Sequence, residues 1–489
     1  MDAPLKICIC ASEFAPLAKT GGLADVAAAL ARYLHRSGHD VRVLIPDYSS
    51  LRAEGLKREA IPSLQHIPIR LGHRQISFSI DALKLPNTNL SIYLLRYPDY
   101  FDRPGLYSNG DDEHLRFILL SRAAIEMCQR MGFAPDIFST HDWHTALIPL
   151  YLKSLYSWDR LFEGTRSLLT IHNIGYQGAF GAQKLPDLSL DGMEHLLHQD
   201  DLAQGMINML RTGVLYADCI STVSPTYAQE ILTDEYGMGL QDLLRPRAQD
   251  LIGILNGVDG RDWNPANDHL IPANFTWEDL CGKRICKRAL MEKTGLEVEL
   301  DRPLFGVVTR LVSQKGIDLV QEVLPRLLSQ RDLALVVLGS GEPTYEQFFQ
   351  KLNEIAPSRV FFYRGYNEEL AHWIEAGSDV FLMPSRYEPC GLNQMYSLAY
   401  GTLPVVRGTG GLADSVKQIN PRERSGTGIV FRHYDAEGLN WAMLQALDLW
   451  QDQDLWQQIM RNAMQEDFSW ERQGEHYVDL FRRLIQKPA

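Results

Sequence analysis

Three basic side chains of this chain stand where they could bind a diphosphate. Lys19 directly precedes a glycine pair, and Arg310 and Lys315 lie five residues apart in the segment VTRLVSQKG. Each follows a β-prone run, and in open α/β sheets ligands bind outside the carboxyl ends of the strands. A single lysine or arginine is usually a solvated surface cation. Three of them in strand-end loops favour the binding of an anion.

The hexapeptide TGGLAD occurs twice, as residues 20–25 and 409–414. Each copy follows a β-prone run and leads into a helix-like stretch. The glycine pairs Gly21–Gly22 and Gly410–Gly411 permit close approach of the backbone, and free N–H groups at the start of a helix attract a negatively charged ligand. We therefore expect two anion-binding turns at equivalent strand-loop-helix positions that hold one ligand between two domains. The copies are unequal in their partners, since the first brings Lys19 and the second lies in the same domain as Arg310, Lys315 and Glu388. The alternative is an ordinary loop with a helix cap.

The segment PSRYEPCGLNQM predicts a sugar-binding loop. It closes a predicted strand and begins a helix, which places Glu388 and Cys390 in the first helical turn. A carboxylate there can accept hydrogen bonds from sugar hydroxyls or oppose positive charge that develops at an anomeric carbon. The start of a helix also tolerates a negative charge. The alternative is an ordinary capping acid.

Two loops of the first half of the chain carry further polar side chains at strand ends. One contains Asp142 between His141 and His144, and the other contains His172 and Asn173. The HxxH spacing suggests a metal, but no acidic or cysteine partner lies at ligand spacing, so we expect no metal site. Positioning of a substrate is the better interpretation.

Other sequence matches are weak or missing. Gly408, Gly410 and Ala413 formally satisfy the GxGxxA fingerprint of a nicotinamide site, but its βαβ context and a ribose-binding acid are absent. The chain contains neither the Walker sequence GxxxxGK[ST] nor GxSxG. This disfavours the common ATPase and serine-hydrolase classes.

Alternating β-prone and helix-prone segments predict the elements that position these residues. The first half contains KICICAS, a helix over about 22–36, DVRVLIP, DIFSTHD, RSLLTIHN and CISTVS. The pattern restarts in the second half with PLFGVVTRL, LALVVLGSG, VFFYRGY, DVFLMPS, TLPVVRG and TGIVF. Such alternation predicts two doubly wound α/β domains, with a boundary near residue 254. QISFSIDALKL and NLSIYLLRYP, joined by a Pro-Asn-Thr-Asn turn at 86–89, predict a β-hairpin in the first domain.

Composition limits the partners and the compartment. The chain of 489 residues has a formal net charge of −13, which disfavours nucleic acid and anionic membranes as partners but permits a neutral polymer. No apolar run approaches bilayer length, and the start MDAPLKICIC lacks the features of a secretory signal. The 7 cysteines show no zinc-like spacing, so reduced thiols are expected. We expect a cytoplasmic protein, or one of a plastid stroma if the source has plastids.

A series of segments along nearly the whole chain resembles the bacterial glycogen synthases and plant starch synthases. Their order and spacing make a chance match very improbable, and KTGGL together with EPCGLNQM is highly specific to this group. The segments are KTGGLADV at 19–26, THDWHTALIP at 140–149, TIHNIGYQG at 170–178, ILNGVD at 254–259, TRLVSQKG at 309–316, PSRYEPCGLNQM at 384–395 and GTGGLADSV at 408–416.

The resemblance implies a GT-B glycosyltransferase, which has two Rossmann-like doubly wound domains and a catalytic cleft between them. The domains would be residues 1–253 with a returning C-terminal helix at 469–489, and residues 254–468. The implied reaction transfers glucose from ADP-glucose to the non-reducing 4-hydroxyl of an α-1,4-glucan, such as glycogen, amylopectin or a malto-oligosaccharide, with retention of configuration. It implies no cofactor and no metal, and it leaves the oligomeric state open.

The resemblance also implies roles for individual residues. Those expected to be catalytic are Lys19, His172, Arg310, Lys315 and Glu388. Diphosphate contacts would come from Lys19, Arg310, Lys315 and the backbone around Gly21, Gly22, Thr409, Gly410 and Gly411. Residues expected around the donor glucose are Asp142, His172, Asn173, Asn256, Glu388, Cys390 and Gly391. Tyr366 would lie near the adenine and Asp25 near the nucleotide sugar.

The mechanism implied by these residues lacks a second carboxylate. Many retaining GT-B enzymes carry a second glutamate eight residues after the first, where this chain has Tyr396. We therefore prefer a same-face reaction, in which the leaving diphosphate accepts the proton of the acceptor hydroxyl, over a covalent intermediate. Three alternatives stay open: a non-catalytic glucan-binding or priming homologue, a UDP-glucose-dependent glucosyltransferase, and an NAD-dependent oxidoreductase.

Overall fold

The chain forms two compact units. The structure, a computed structural model, describes residues 3–52, 56–85 and 88–486. Unit 1 comprises Met1–Val223, Ala228–Gly257 and Trp470–Ala489, and unit 2 comprises Ser224–Tyr227 and Val258–Ser469. The main boundary therefore follows Gly257, close to the position near 254 that the sequence suggests. Nothing in the sequence indicates that residues 224–227 belong with unit 2.

A mostly parallel sheet forms the centre of unit 1. Its strands and those of a small neighbouring pair are β1 Lys6–Cys10, β2 Asp40–Pro46, β3 Glu59–Ala60, β4 Ile67–Leu71, β5 Arg74–Lys84, β6 Ser91–Arg96, β7 Ile137–His141, β8 Arg166–Ile171, β9 Ala179–Gly181, β10 Met206–Asn208, β11 Cys219–Thr222 and β12 Leu251–Gly253. The order is β12-β11-β8-β7-β1-β2-β6-β5-β3, with β4 beside β5. Neighbours from β12 to β6 are parallel. β9 and β10 pair separately.

The predicted hairpin is present at one edge of this sheet. β5 pairs antiparallel with β6, from Ser79 opposite Arg96 to Lys84 opposite Ser91. Residues 86 and 87 of the predicted turn lie outside the described residues. The hairpin therefore extends a parallel sheet with antiparallel strands, as the sequence predicts.

Helices connect the strands of unit 1. They are α1 Gly22–Arg36, α2 Ser49–Arg52, α3 Pro98–Phe101, α4 Glu113–Arg130, α5 Asp142–Thr145, α6 Ile148–Lys153, α7 Gln199–Ala203, α8 Met209–Tyr216, α9 Pro225–Glu230 and α10 Gln241–Leu244. The first residues of α9, up to Tyr227, belong to unit 2. α1 has the bounds that the sequence predicts. Its alanines favour the helix, and Leu23, Val26, Ala27, Leu30 and Leu34 recur at helical spacing and are buried.

The order of strands in unit 1 reverses between β1 and β7. From β1 the chain builds the sheet through β2 to β6 on one side, and then from β7 through β8 and β11 to β12 on the other. Such a switch point opens a crevice outside the carboxyl ends of two adjacent strands. The loop before α1 and the start of α5 both lie at these strand ends.

Unit 2 repeats this architecture with a fully parallel sheet. Its strands are β13 Leu304–Val308, β14 Ala334–Gly339, β15 Val360–Arg364, β16 Val380–Met383, β17 Leu403–Arg407 and β18 Ile429–Phe431. They lie in the order β15-β14-β13-β16-β17-β18, so the switch point lies between β13 and β16. The helices are α11 Cys281–Thr294, α12 Ile317–Gln330, α13 Pro343–Ile355, α14 Glu368–Gly377, α15 Asn393–Ala399, α16 Gly410–Ser415, α17 Ala436–Trp450 and α18 Gln453–Met464.

The last helix, α19 Trp470–Gln486, belongs to unit 1. Its buried face, which includes Tyr477 and Phe481, joins the hydrophobic core that α1 and the central strands form. Gly474 lies so close to the ring of Tyr33 in α1 that a Cβ would clash with it. The helix therefore has a packing partner in unit 1 although it has no strand of its own.

Candidate active site

A carboxylate of the protein occupies the first glycine turn. Glu13 Oε2 accepts hydrogen bonds from the N–H groups of Thr20 at 2.7 Å and Gly21 at 3.0 Å, and Oε1 accepts one from Thr20 Oγ1 at 2.8 Å. Tyr107 Oη donates to the same Oε1 at 2.6 Å. The N–H groups that the sequence assigned to an external anion at Gly21 therefore bind Glu13. The turn does attract an anion, but that anion belongs to the protein.

Lys19 forms an ion pair beside this turn. Its Nζ lies 2.7 Å from Asp25 Oδ1, and both side chains are partly exposed. The sequence assigned these two residues to one nucleotide sugar, and the structure places them in direct contact. Gly22, between them in the chain, is the first residue of α1.

Asp142 joins two strand-end loops of unit 1. Its backbone adopts a positive φ of 51°, a sparsely populated conformation for a residue with a side chain. Its Oδ1 accepts the N–H of His172 at 2.7 Å and that of Asn173 at 3.4 Å. Burial raises the pKa of the Asp142 carboxyl to about 7, while these N–H groups oppose the rise. The predicted residues Asp142, His172 and Asn173 are therefore one contiguous group.

The histidines of these loops are neutral near pH 7. His141 Nδ1 and His172 Nε2 lie 2.9 Å apart, so one ring donates and the other accepts. The ring of His144 stacks against that of Tyr107 at a centroid distance of 4.9 Å. Burial lowers the pKa of His141 to about 4 and that of His144 to about 3, and it also lowers the pKa of His172.

Asn256 follows β12 at the far edge of the same sheet. The residue is buried, and its Oδ1 has no hydrogen-bond partner among the described residues. Buried side-chain oxygens are nearly always hydrogen-bonded in proteins. An unpaired acceptor of this kind is suited to a ligand that brings a donor, such as a sugar hydroxyl.

In unit 2, the predicted basic and acidic residues meet at the switch point. Lys315 Nζ lies 2.6 Å from Glu388 Oε2, which also accepts a hydrogen bond from Ser385 Oγ at 2.9 Å. Lys315 ends a short 3₁₀ turn after β13, and Glu388 follows β16, so the two strands that flank the switch point bring them together. Gly316 has a φ of 73° and lies against the carbonyl oxygen of Pro384, where a Cβ would clash.

Arg310, near Lys315 in the chain, has an exposed side chain that could bind a ligand. It lies at the carboxyl end of β13 and is exposed. In the described part of the chain its guanidinium has no hydrogen bond or ion pair. Arg310 and Lys315 therefore differ: one is unpaired, and the other is held by a carboxylate.

The second glycine turn packs against the loop that carries Glu388. The Gly411 N–H donates to the carbonyl oxygens of Glu388 at 3.1 Å and Pro389 at 3.2 Å. A Cβ at Gly410 would clash with the Glu388 carbonyl oxygen, and one at Gly411 with that of Cys390. Gly21 in the first copy has no such neighbour within 4 Å. The two copies of TGGLAD therefore differ in their surroundings, because the glycines of the second copy permit contact between two loops.

The remaining predicted residues of unit 2 lie in different surroundings. Tyr366 follows β15 and is 69% exposed. Gly391 has a φ of 74°, which favours glycine, and follows the buried Cys390. Thr409 is buried at the start of α16.

An aromatic stack occupies the position of the second carboxylate. The ring of Tyr396 lies parallel to that of Trp263 at a centroid distance of 4.0 Å and an angle of 2°. Trp263 stacks in turn on His372 at 3.8 Å. His372 Nδ1 is 2.7 Å from Asp268 Oδ2, which Tyr400 Oη also reaches at 2.6 Å. The residue eight positions after Glu388 therefore contributes packing and no charge.

Two family models match this chain in succession. Residues 6–246 match the model described as starch synthase catalytic domain, and residues 292–465 match that described as glycosyl transferases group 1. Glycogen synthase 1 of Geobacter sulfurreducens is 43% identical over 488 residues, which are 99% of this chain and 97% of the relative. The chain belongs to the glycogen and starch synthase family.

Further comparisons agree with this family and with its fold. The glycogen synthase of Anaeromyxobacter dehalogenans is 44% identical, over 98% of this chain and 100% of the relative. The catalytic domain of Starch Synthase IV from Arabidopsis thaliana, bound to ADP and acarbose, superposes with a TM-score of 0.91 and 34% identity, over 99% of this chain and 100% of that one. Sucrose-phosphate synthase from Thermosynechococcus elongatus shares the fold alone, with a TM-score of 0.59 and 17% identity over 98% of each chain.

This member of the glycogen and starch synthase family is a glycosyltransferase with the GT-B fold, which has two doubly wound α/β units. Within the described ranges, no group of three or more histidine, cysteine, aspartate or glutamate side chains could hold a metal ion. No helix in the part of the chain that the structure covers is long and apolar enough to cross a membrane.

The sequence does not predict the roles of two residues near the first glycine turn, Glu13 and Tyr107. Glu13 lies just after β1, so the rule that ligands gather at strand ends indicates its position. No sequence pattern near Glu13 predicts that its carboxylate binds the N–H groups of the TGGLAD turn. Tyr107 precedes α4, more than ninety residues from Glu13 in the chain. Only the fold brings its hydroxyl to that carboxylate.

Proposed function

We propose that this glycosyltransferase transfers glucose from ADP-glucose to the non-reducing 4-hydroxyl of an α-1,4-glucan with retention of configuration. Full-length relatives at 41–44% identity are glycogen synthases, and the Arabidopsis starch synthase domain, at 34% identity, binds ADP and acarbose. The proposed acceptors are glycogen, amylopectin and malto-oligosaccharides. The proposed location is the cytoplasm.

Two cations that follow β13, Arg310 and Lys315, give the main support for this proposal. Arg310 has no acceptor among the described side chains and backbone groups, and an exposed guanidinium can bind two phosphate oxygens at once. Lys315 holds Glu388 with one of its three ammonium donors, so the others can reach a phosphate oxygen. Both stand at the switch point of a doubly wound sheet, where nucleotide ligands bind in such folds. A nucleoside diphosphate sugar fits this arrangement.

The proposed donor-sugar contacts are acceptors on strand-end loops. Glu388 can accept hydrogen bonds from glucose hydroxyls while Lys315 and Ser385 fix its orientation. Asn256 Oδ1 is a buried acceptor without a partner in the described residues, and a hydroxyl would satisfy it. Asp142 orders the His172–Asn173 backbone for the same purpose.

The proposed reaction proceeds on one face of the sugar. The bond between the anomeric carbon and the diphosphate breaks, and ADP leaves while Arg310 and Lys315 stabilise its charge. The acceptor hydroxyl attacks from the same side and gives its proton to the departing phosphate oxygen. Tyr396 stacks on Trp263, so the position of a second carboxylate holds none. Because the two cations supply positive charge to the leaving group, we propose no metal cofactor.

Release of ADP from ADP-glucose in the presence of glycogen tests this proposal. We expect turnover with ADP-glucose to exceed that with UDP-glucose, and to persist with a chelator. Arg310→Ala should lower kcat by about 100-fold or more, because it removes the charge on the leaving group. Arg326→Ala, an exposed arginine of α12, is the matched control and should match the wild type. If Arg310→Ala turned over as fast as the wild type, the proposed binding of the diphosphate by Arg310 would be wrong.

Closure of the two domains on the donor stays a prediction from the sequence. It expects Lys19 of one domain and Arg310 of the other to meet one ADP-glucose. Scattering curves of the protein alone and with ADP and a malto-oligosaccharide should differ. Identical curves would contradict closure.

A further inference from the structure

A short segment from the middle of the chain holds the loop that carries Glu388. Ser224–Tyr227 belongs to unit 2, although the chain on either side belongs to unit 1. Ser224 is fully buried, and its Oγ donates to the carbonyl oxygen of Pro389 at 2.7 Å. Pro389 lies between Glu388 and Cys390. The segment therefore contacts the proposed sugar loop at its centre.

Asp414 of the second TGGLAD copy fixes the same segment. The N–H of Thr226 donates to Asp414 Oδ2 at 2.8 Å, and Thr226 Oγ1 donates to Oδ1 at 2.6 Å. Both carboxylate oxygens of Asp414 are thus used by a single residue. Its counterpart in the first copy, Asp25, pairs with Lys19 instead.

The carbonyl group of Pro389 accepts two hydrogen bonds. The Pro389 oxygen accepts from Ser224 Oγ and also from the Gly411 N–H, at 3.2 Å. Gly411 and Asp414 lie in the same short helix, α16, so Thr226 ties that helix to the segment that Ser224 occupies. The Pro389 carbonyl is therefore held by two donors, Ser224 and Gly411, whose segments are linked through Thr226 and Asp414.

We propose that Ser224, Thr226 and Asp414 form a clasp that positions the loop Glu388–Gly391 for the donor sugar. They are positioning residues, since the Glu388 loop, and not the clasp, meets the substrate. The proposal rests on the proposed role of Glu388 in sugar binding. A reacting group must be held within a fraction of an ångström of its productive position, so loosening the clasp weakens transfer without removing any binding group.

Thr226→Val tests the clasp, because valine keeps the shape and the backbone N–H but lacks the hydroxyl. We expect kcat/KM for ADP-glucose to fall about tenfold, the effect of a misplaced loop, with little change in Tm. Thr226→Ser keeps the hydroxyl and should restore most of the activity. Asp414→Asn should add little to Thr226→Val, since the amide oxygen of asparagine can still accept the Thr226 N–H, which is the contact that valine leaves.

Thr294→Val is the matched control. Thr294 is buried in unit 2, and its Oγ1 donates to the Leu290 backbone oxygen at 2.7 Å. Thr294→Val loses one hydroxyl hydrogen bond, as Thr226→Val does, and should retain the activity of the wild type. A fall in activity equal to that of Thr226→Val would show a general effect of lost stability.

Alkylation of Cys390 measures the position of the loop without using activity. Cys390 is 4% exposed, and Cys286, fully buried in unit 2, reports any global opening. Mass spectrometry of iodoacetamide-treated protein should show faster labelling of Cys390, but not of Cys286, in Thr226→Val and Ser224→Ala. Wild-type rates of labelling and turnover in both variants would overturn the clasp. An inactive wild type would contradict the proposed function instead, and labelling would then decide the clasp alone.

Discussion

Lys315 Nζ lies 2.6 Å from Glu388 Oε2, so a lysine expected at the diphosphate and a glutamate expected at the sugar form one ion pair. Both side chains are largely buried, and Ser385 Oγ holds the same carboxylate oxygen. In the proposed complex, the pair fixes the distance between the leaving group and the sugar. We therefore expect a substitution at the diphosphate lysine to change the effect of one at the sugar-binding glutamate.

Removing either partner of this pair should affect the other. We expect Glu388→Gln and Lys315→Met each to lower kcat about 100-fold, and the double variant to be no worse than Lys315→Met alone. A double-mutant cycle of turnover measures this coupling. Lys293 and Glu369 form a more exposed pair at 3.2 Å in the same unit, and Glu369→Gln should leave turnover unchanged. Fully additive effects of Glu388→Gln and Lys315→Met would contradict the coupling.

The two copies of TGGLAD should respond differently to the same substitution. Gly410→Ala places a Cβ against the Glu388 carbonyl oxygen at a φ of 43°, so we expect a loss of about 1–3 kcal/mol in the free energy of unfolding. Gly21→Ala meets no atom within 4 Å at an extended backbone, and its unfolding free energy should stay within about 0.5 kcal/mol of the wild type. Thermal unfolding of both variants checks the contrast. Equal losses would show that the second turn is not packed as described.

The hydroxyl of Tyr107 should affect turnover of the donor, because it donates a hydrogen bond to Glu13. Tyr107→Phe removes the hydrogen bond at 2.6 Å to Glu13 Oε1 but keeps the ring that stacks on His144. We expect kcat/KM for the donor to fall about tenfold, the upper range for one hydrogen bond to a charged group. Tyr216→Phe is the control, because it loses a hydrogen bond of the same length to the Leu196 carbonyl oxygen. A larger effect in Tyr216→Phe would contradict a role for Glu13 in ordering the glycine turn.

The buried histidines should make stability fall as the pH falls. The folded-state pKa of His144 lies near 3, below the ordinary value of 6.5, so between these values the unfolded chain binds a proton that the folded chain does not. The contribution of neutral His144 to the free energy of unfolding is therefore fully present above pH 6.5. Below pH 6.5 this contribution decreases by about 1.4 kcal/mol per pH unit. Asp142 acts in the opposite direction between its raised pKa of about 7 and its ordinary value of 3.8.

His144→Phe isolates this contribution. It removes one titrating group and leaves Asp142, so the dependence of unfolding free energy on pH from 6.5 to 4.5 should become shallower by about one proton. Denaturant unfolding at a series of pH values measures the slope. An unchanged slope would mean that His144 is not held neutral by burial.

The sequence predicts the framework well because strand ends and glycine turns are local signals. The two doubly wound units, the bounds of α1 and the strands of unit 2 all follow from alternating apolar runs. The placement of Lys315 and Glu388 beside one switch point follows from the rule for open α/β sheets. The helices and strands depend on residues near each other in the chain, and the rule for strand ends then places Lys315 beside Glu388, which lies far from it in sequence.

The parts that the sequence could not predict depend on distant partners. TGGLAD has the same six residues in both copies, yet Glu13 fills the first turn and the Glu388 loop packs on the second. The fold decides which loop lies beside a glycine turn, and that loop supplies the group that contacts it. The four residues Ser224–Tyr227 that join unit 2 are held by Pro389 and Asp414, far along the chain.

Transfer of labelled glucose measures the proposed reaction itself. The protein is incubated with ADP-glucose that carries ¹³C at the anomeric carbon and with a malto-oligosaccharide, and NMR identifies the new linkage. We expect an α-1,4 linkage at the non-reducing end and one ADP released for each glucose transferred. A β linkage, a different acceptor hydroxyl, or no transfer from ADP-glucose would contradict the proposed reaction.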